Sequence, residues 1–168
     1  MRVVVQRVGR AAVEVDGEVV GEIGGGLLVF VGVGRADVSP GAGTVAGSKV
    51  AAALADKVAN LRIFQDSDGK SNLSLLETGS SALVISQFTL YADCRRGRRP
   101  SFTDAGDPVL AEALVEEFRT ALEKLGVRTA AGRFGAHMTV SLVNDGPYTI
   151  VLDSEVLSGP RSGRHEGD

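Results

Sequence analysis

Three stretches hold the residues that could do chemistry: Ser86-Gln87-Phe88-Thr89-Leu90-Tyr91, Cys94-Arg95-Arg96-Gly97-Arg98-Arg99-Pro100 and Asn144-Asp145-Gly146-Pro147-Tyr148-Thr149. The first places two hydroxyls, an amide and an aromatic ring where the apolar run 81–85 ends. A threonine hydroxyl such as Thr89 attacks a carbonyl only with a base beside it, and the sequence shows none nearby. Of two histidines, His165 falls in a charged C-terminal stretch. That leaves His137 as the one plausible imidazole base or metal ligand. One histidine and one cysteine make a weak metal site, and without CxxC or HExxH no metal or cofactor is expected. There is no GxSxG elbow for a serine nucleophile. Glu112 and Glu116 lie four apart but off the apolar stripe of their helix, as solvated residues do. An enzyme with this inventory works through backbone groups and hydroxyls, or has its substrate supply a reactive group.

The second stretch packs four of the eighteen basic residues into one loop of a chain whose net charge is −3. A solvated loop explains it; so does a phosphate contact, because local concentration against an acidic background is what an electrostatic footprint looks like. The third stretch interrupts two apolar runs, 138–143 and 150–152. Asn-Asp-Gly-Pro is the composition of a tight turn between strands. Alternatively, Gly146 with donor-less Pro147 lets backbone carbonyls leave a sheet toward a ligand.

Two further patterns imitate sites. The run Gly41-Ala42-Gly43-Thr44-Val45-Ala46-Gly47 resembles a dinucleotide fingerprint, but its spacing is off by one and the preceding strand ends too early. With Asp66 at position one of a calcium loop, Asp68 and Glu77 fall at three and twelve, yet Lys70 and Ser71 occupy positions five and six. A solvated turn is expected over residues 65–71.

The elements that must position these residues follow from periodicity. Strands are expected at 2–8, 11–15, 18–23, 27–33, 61–64, 81–85 continuing into the alternation 86–91, 127–131 and the runs flanking Gly146-Pro147. Asp16-Gly17 signals a two-residue hairpin. Helices are expected at 44–60, with Val50, Leu54, Val58 and Leu61 on one face, and from Asp107-Pro108 to Gly126, with a stripe of Leu110, Leu114, Phe118, Leu122 and Leu125. At 168 residues and 43% hydrophobic, one globular domain is expected, with a disordered tail from residue 154. Apolar runs too short to span a bilayer, a start without a signal peptide and a single cysteine point to a cytoplasmic protein without a membrane partner.

Gln6-Arg7-Val8, Gly21-Glu22-Ile23, Ser86 to Leu90, Arg99-Pro100-Ser101-Phe102, Gly132-Arg133-Phe134 and Asn144-Asp145-Gly146-Pro147 together resemble the D-aminoacyl-tRNA deacylase family, in order over residues 1–153. The resemblance implies an α/β (α+β) chain, compact and β-barrel-like, with mostly antiparallel sheets and two packed helices. It also implies a homodimer with active sites at its interface. The activity implied is hydrolysis of the ester between a D-amino acid, or mischarged glycine, and the 3′ acceptor end of tRNA. Gly146-Pro147 would be a cis peptide inserted into the partner subunit's site to exclude L side chains, with Arg7 orienting it. Ser86, Gln87, Phe88 and Thr89 would line the ester pocket, and Phe134 and Met138 would hold the adenine. With tRNA as substrate, the phosphate contact read above from local charge would be made by Arg95, Arg96, Arg98 and Arg99. The resemblance favours assistance by the ribose 2′-hydroxyl, with Thr89 as a nucleophile the competing mechanism. Tyr148 departs from the Val usual after Gly-Pro, and the segment 35–47 is longer than usual. A non-catalytic tRNA-binding module and a nicotinamide enzyme are the alternatives.

Overall fold

Asp16 and Gly17 adopt φ of 53° and 81°, the left-handed pair a two-residue hairpin needs, and join β1 (Arg2–Val15) to β2 (Glu18–Ile23). The structure, a computed structural model, describes residues 1–38 and 43–158, apart from the side chains of 43–45 and 158. After β2 come β3 (Gly26–Gly32), a 3-10 turn (Arg35–Val38), α1 (Gly43–Ala59), β4 (Phe64–Gln65), β5 (Ser71–Leu73) and α2 (Leu75–Thr78). The chain continues through β6 (Ser81–Ser86), a second 3-10 turn (Phe88–Tyr91), α3 (Pro108–Lys124), β7 (Arg128–Ala131), β8 (Thr139–Asp153) and α4 (Ser154–Ser158).

β1 organises the main sheet, because it is long enough to pair antiparallel with β3 along residues 2–8 and with β2 along 11–15 on one edge, and with β8 along nearly its whole length on the other. Beyond β3 the order continues through β6 to β7, both parallel. Parallel strands covered on both faces are continuous apolar runs, and residues 82–85 of β6 are all buried. The sheet curls until β7 meets β2: a Cβ on Gly21 would stand 2.5 Å from the Ala131 carbonyl oxygen. The architecture is therefore mixed α/β with a nearly closed, barrel-like and mostly antiparallel sheet, as expected.

Alternation along β3 divides the core. Leu27, Val29 and Val31 join Leu54, Val58, Leu114, Phe118 and Leu122 of α1 and α3. Leu28 points the other way, with Val8, Val13, Leu83 and Ile85, into the barrel interior. Burying each such side chain contributes about 1.5–3 kcal/mol. The expected stripe of α3 holds at Leu114, Phe118 and Leu122, but Leu110 and Leu125 stay exposed at its ends. Asp107 caps that helix, its carboxylate accepting from the Val109 and Leu110 amides, and Pro108 sits where no amide partner is needed.

Several expectations are corrected. Residues 2–8 and 11–15 form one strand, so Arg7 lies inside β1 rather than at its end. The expected strand 61–64 is displaced to Phe64–Gln65, paired with β5 across a solvated turn in which Asp66 accepts from the Asp68 and Lys70 amides. α2, closed by a Ser74–Glu77 capping box, was not anticipated. Within the fingerprint-like run, residues 41 and 42 lie outside the described residues. Gly47 has a packing role: a Cβ there would meet the Asp37 carbonyl oxygen at 2.9 Å and both Leu114 methyls at 3.0 Å, so glycine lets α1 close on α3. The expected disordered tail begins as α4, whose Ser154 accepts from the Met1 amine at 2.6 Å; residues 159–168, with His165, lie outside the described residues. No described helix is long and apolar enough to cross a membrane.

Candidate active site

β3 ends at Gly32, so β6 loses its neighbour after Ser86. One further ladder bond, Gln87 amide to Val31 carbonyl at 2.8 Å, precedes the 3-10 turn. The period-two alternation expected through 86–91 therefore stops at Ser86, and Phe88 and Thr89 are both exposed. A 3-10 turn leaves its first amides, here Phe88 and Thr89, without an intrahelical acceptor, whereas the Gln87 amide is committed to the ladder. The Gln87 side-chain amide donates to Thr89 Oγ1 at 2.5 Å.

The turn is held from behind. Arg2 donates to the Leu90 carbonyl at 3.0 Å, lies 4.5 Å over the Tyr91 ring and pairs with Asp153 at 2.9 Å. Tyr91 donates its hydroxyl to Asp37 at 3.3 Å, while Asp37 also receives the Met1 amine and the Gly34 amide. Burial above all, with the Asp37 carboxylate adding to it, raises the Tyr91 phenol well above its ordinary range.

In front of the turn lies a cavity of about 610 Å³, whose lining includes Ser86, Gln87, Phe88, Phe102, Phe134 and Met138. Phe88 and Phe102 meet edge to face with centroids 5.1 Å apart. Gly132 gives room at the back, since a Cβ there would stand 2.4 Å from Met138 Sδ. Of the expected site residues, Ser86, Gln87, Phe88, Phe134 and Met138 converge here. Thr89 stands outside the lining, tied to it through Gln87. Sequence reasoning did not select Phe102, although it is quoted in the Arg99-Pro100-Ser101-Phe102 motif. His137, the one candidate imidazole base, lines the cavity and is exposed.

Gly146-Pro147 and Arg7 form a separate cluster, away from their own chain's cavity lining. Gln6 pairs with Thr149 and Val8 with Asn144, so residues 145–148 stand opposite the single residue Arg7. The reading of a turn between two strands is thus corrected: both flanking runs belong to β8 and pair with one strand, and the four residues are pushed out of it. The Gly146-Pro147 bond is cis. Arg7, only 4% exposed, donates to the carbonyls of Asp145 and Gly146 at 3.1 Å each and to that of Ile63, and pairs with the Asp145 carboxylate at 2.9 Å. Its guanidinium lies 4.6 Å over the Tyr148 ring, whose hydroxyl reaches Ser71 Oγ at 2.5 Å. Asn144 closes the base of the loop by donating to the Arg7 and Tyr148 carbonyls. Gly146 and Pro147 themselves are exposed.

In the arginine-rich loop, Arg95 is paired with Asp93 at 2.7 Å; Arg96, Arg98 and Arg99 are exposed. No group of three or more His, Cys, Asp or Glu among the described residues could hold a metal ion.

An apolar cavity rimmed by hydroxyl, amide and free backbone donors suits stabilisation of a developing oxyanion. The chain belongs to the D-Tyr-tRNA(Tyr) deacylase family, a family of hydrolases, whose model matches residues 4–153. It is similar to the D-aminoacyl-tRNA deacylase of Roseiflexus castenholzii, 57% identical over 166 residues that cover 99% of each chain. That of Desulforudis audaxviator is 54% identical over 94% of this chain and 99% of its own. Among solved structures, a c-Myc DNA Unwinding Element Binding Protein superimposes with a TM-score of 0.80 at 36% identity, covering 91% of this chain and 98% of the other. A probable eukaryotic D-amino acid tRNA deacylase, at 18% identity and a TM-score of 0.75 over 90% and 97% of the two chains, shares the fold.

Proposed function

We propose that this chain hydrolyses the ester linking a D-amino acid, or mischarged glycine, to the terminal adenosine of tRNA. It thereby removes wrong-handed residues before translation in the cytoplasm, residues 1–153 forming the deacylase unit. The observation that carries this reading is the outward Gly146-Pro147 loop, gripped by buried Arg7 yet absent from its own chain's cavity. A backbone element held by a buried guanidinium and absent from the cavity lining of its own subunit fits insertion into that of a second copy. The working unit is accordingly a homodimer with an active site at each interface.

In that assembly the adenine lies against Phe134 and Met138, and the ester carbonyl faces the turn after Ser86. Water adds to the carbonyl carbon, the amides of Phe88 and Thr89 receive the developing negative charge, and Gln87 and Ser86 position the ester. The tetrahedral intermediate collapses with cleavage of the ester bond, the ribose 3′-oxygen taking up a proton and the free amino acid leaving. The 2′-hydroxyl assists the proton transfers, since the side chain that meets the Thr89 hydroxyl is the Gln87 amide, a donor and no base. An L side chain would run into the Gly146 and Pro147 carbonyls, whereas a D side chain or glycine points away. Tyr148 shapes that wall from beneath the Arg7 guanidinium.

Release of labelled tyrosine from D-Tyr-tRNA and L-Tyr-tRNA tests the reading. Rapid release of D and none of L is expected; equal rates, or release of neither, would overturn it. Sedimentation of the active species tests the dimer.

A further inference from the structure

The loop of residues 94–100 is tied at its base by a pair of backbone hydrogen bonds, Asp93 amide to Ser101 carbonyl at 2.7 Å and the reverse at 2.9 Å. Gly97, with φ of 71°, turns the chain at its tip. The loop's four arginines do not play one role. Arg95 folds back on the loop's own base, donating through Nε and a terminal nitrogen to the two Asp93 carboxylate oxygens at 2.8 and 2.7 Å. Those bonds hold the Asp93 carboxyl down at about 2. Arg96, Arg98 and Arg99 are exposed and make no hydrogen bond or ion pair among the described residues.

Phe102 follows directly. It is 39% exposed, and Phe88, which it meets edge to face, is 58% exposed. Both line the cavity. Exposed aromatic faces beside unpaired guanidinium groups are the means by which proteins hold single-stranded nucleic acid, bases stacking and phosphates pairing. A net acidic chain has no global attraction to RNA, so three unpaired arginines in the loop that leads directly into Phe102 constitute a local exception.

We propose that Arg96, Arg98, Arg99 and Phe102 form a subsite for the unpaired nucleotides that precede the terminal one of an RNA 3′ end, Phe102 stacking on a base and the three arginines pairing with phosphates. The identity of the RNA rests on the hydrolytic reading above; the recognition of a single strand rests on the unpaired arginines and on the exposed ring that follows them in the chain. Arg95 is a brace for the loop and makes no phosphate contact.

The test is binding of a fluorescent acceptor minihelix carrying an unpaired 3′ tail, against the same minihelix blunt-ended. The intact protein is expected to bind the tailed RNA at least tenfold more tightly. Replacing Arg96, Arg98 and Arg99 together by alanine should remove that gain and flatten the dependence of log K on log salt by about two, as loss of three single-strand phosphate contacts implies. Phe102→Ala should weaken binding roughly tenfold with the salt slope unchanged. Unchanged binding by the triple variant, or equal losses on tailed and blunt RNA, would overturn the subsite. Release of D-tyrosine from D-Tyr-tRNA is measured alongside. Release with unaltered binding by the triple variant defeats the subsite alone; the expected binding without release defeats the hydrolytic reading alone.

Discussion

The Arg7 guanidinium reaches the Gly146 carbonyl oxygen at 3.1 Å across the place where four residues of β8 stand against one of β1. A single buried cation thus organises a loop in which Asp145, Gly146 and Pro147 are exposed. All three of its nitrogens are engaged, serving three carbonyls and one carboxylate, and its face lies over the Tyr148 ring.

Arg7→Lys keeps the charge and loses the fork. An ammonium is a point donor that does not reproduce a planar guanidinium's contacts, and Ile63, being buried, leaves its carbonyl without ready access to water. A loss of about 1–3 kcal/mol in unfolding free energy is expected in urea titrations. D-tyrosine release should slow at least tenfold, because a loop no longer held in place loses its positioning. Unchanged release at reduced stability would confine Arg7 to a structural role.

Thr89 and the ribose 2′-hydroxyl are separated by two substrates and one variant. Thr89 accepts from Gln87 and meets no base among the described residues, so Thr89→Ala should retain D-tyrosine release within about tenfold. D-Tyr-tRNA ending in 2′-deoxyadenosine should react about 10²–10⁴-fold more slowly, the span typical of a lost proton-transfer partner. The reverse pattern would make Thr89 the nucleophile.

How far these sites could be read in advance depended on how local their causes are. The Asp16-Gly17 hairpin, the Asp107-Pro108 helix start and the middle of the α3 stripe, Leu114, Phe118 and Leu122, are set by neighbours in sequence, and the structure contains all three. The Asn144 to Thr149 stretch is different. Asn-Asp-Gly-Pro by itself favours a hairpin turn over an outward bulge, and the choice is made by β1, more than a hundred residues earlier, which pairs with both flanks. Phe88-Thr89-Leu90-Tyr91 has strand composition, yet the strand stops because β3 has ended beside it. The division of labour among the loop arginines was hidden as well, since nothing in the run singles out Arg95 except an aspartate two residues before it.

Gly32→Ala tests the support of the reacting turn from the β3 side. A Cβ there would stand 2.9 Å from the Gln87 carbonyl oxygen and 3.0 Å from Leu90 Cβ, so the turn must move. Overpacking of this kind costs about 1–3 kcal/mol. Since Gln87 and Thr89 move with the turn, kcat for D-Tyr-tRNA should fall at least tenfold while KM, set largely by the adenine and the RNA strand, changes little. Equal changes in both would mean that the turn does not hold the reacting ester.

Tyr91 makes stability depend on alkaline pH. Its folded-state value lies above the ordinary phenol value of about 10, chiefly because burial disfavours the phenolate and further because Asp37 and Asp153 repel it, with Arg2 acting the other way. A raised value means that its contribution is fully present below about pH 10. Between that pH and the folded-state value, unfolded chains have released a proton that folded chains keep, so rising pH favours unfolding. The urea midpoint should therefore fall above pH 10. Lysines also titrate in this range, and Tyr91→Phe isolates the phenol: the ring stays beneath Arg2 while the bond to Asp37 is lost. That variant should be about 0.5–1.5 kcal/mol less stable near neutrality and should lose stability less steeply above pH 10. Parallel curves for the two proteins would show that the Tyr91 phenol ionises alike in folded and unfolded chains.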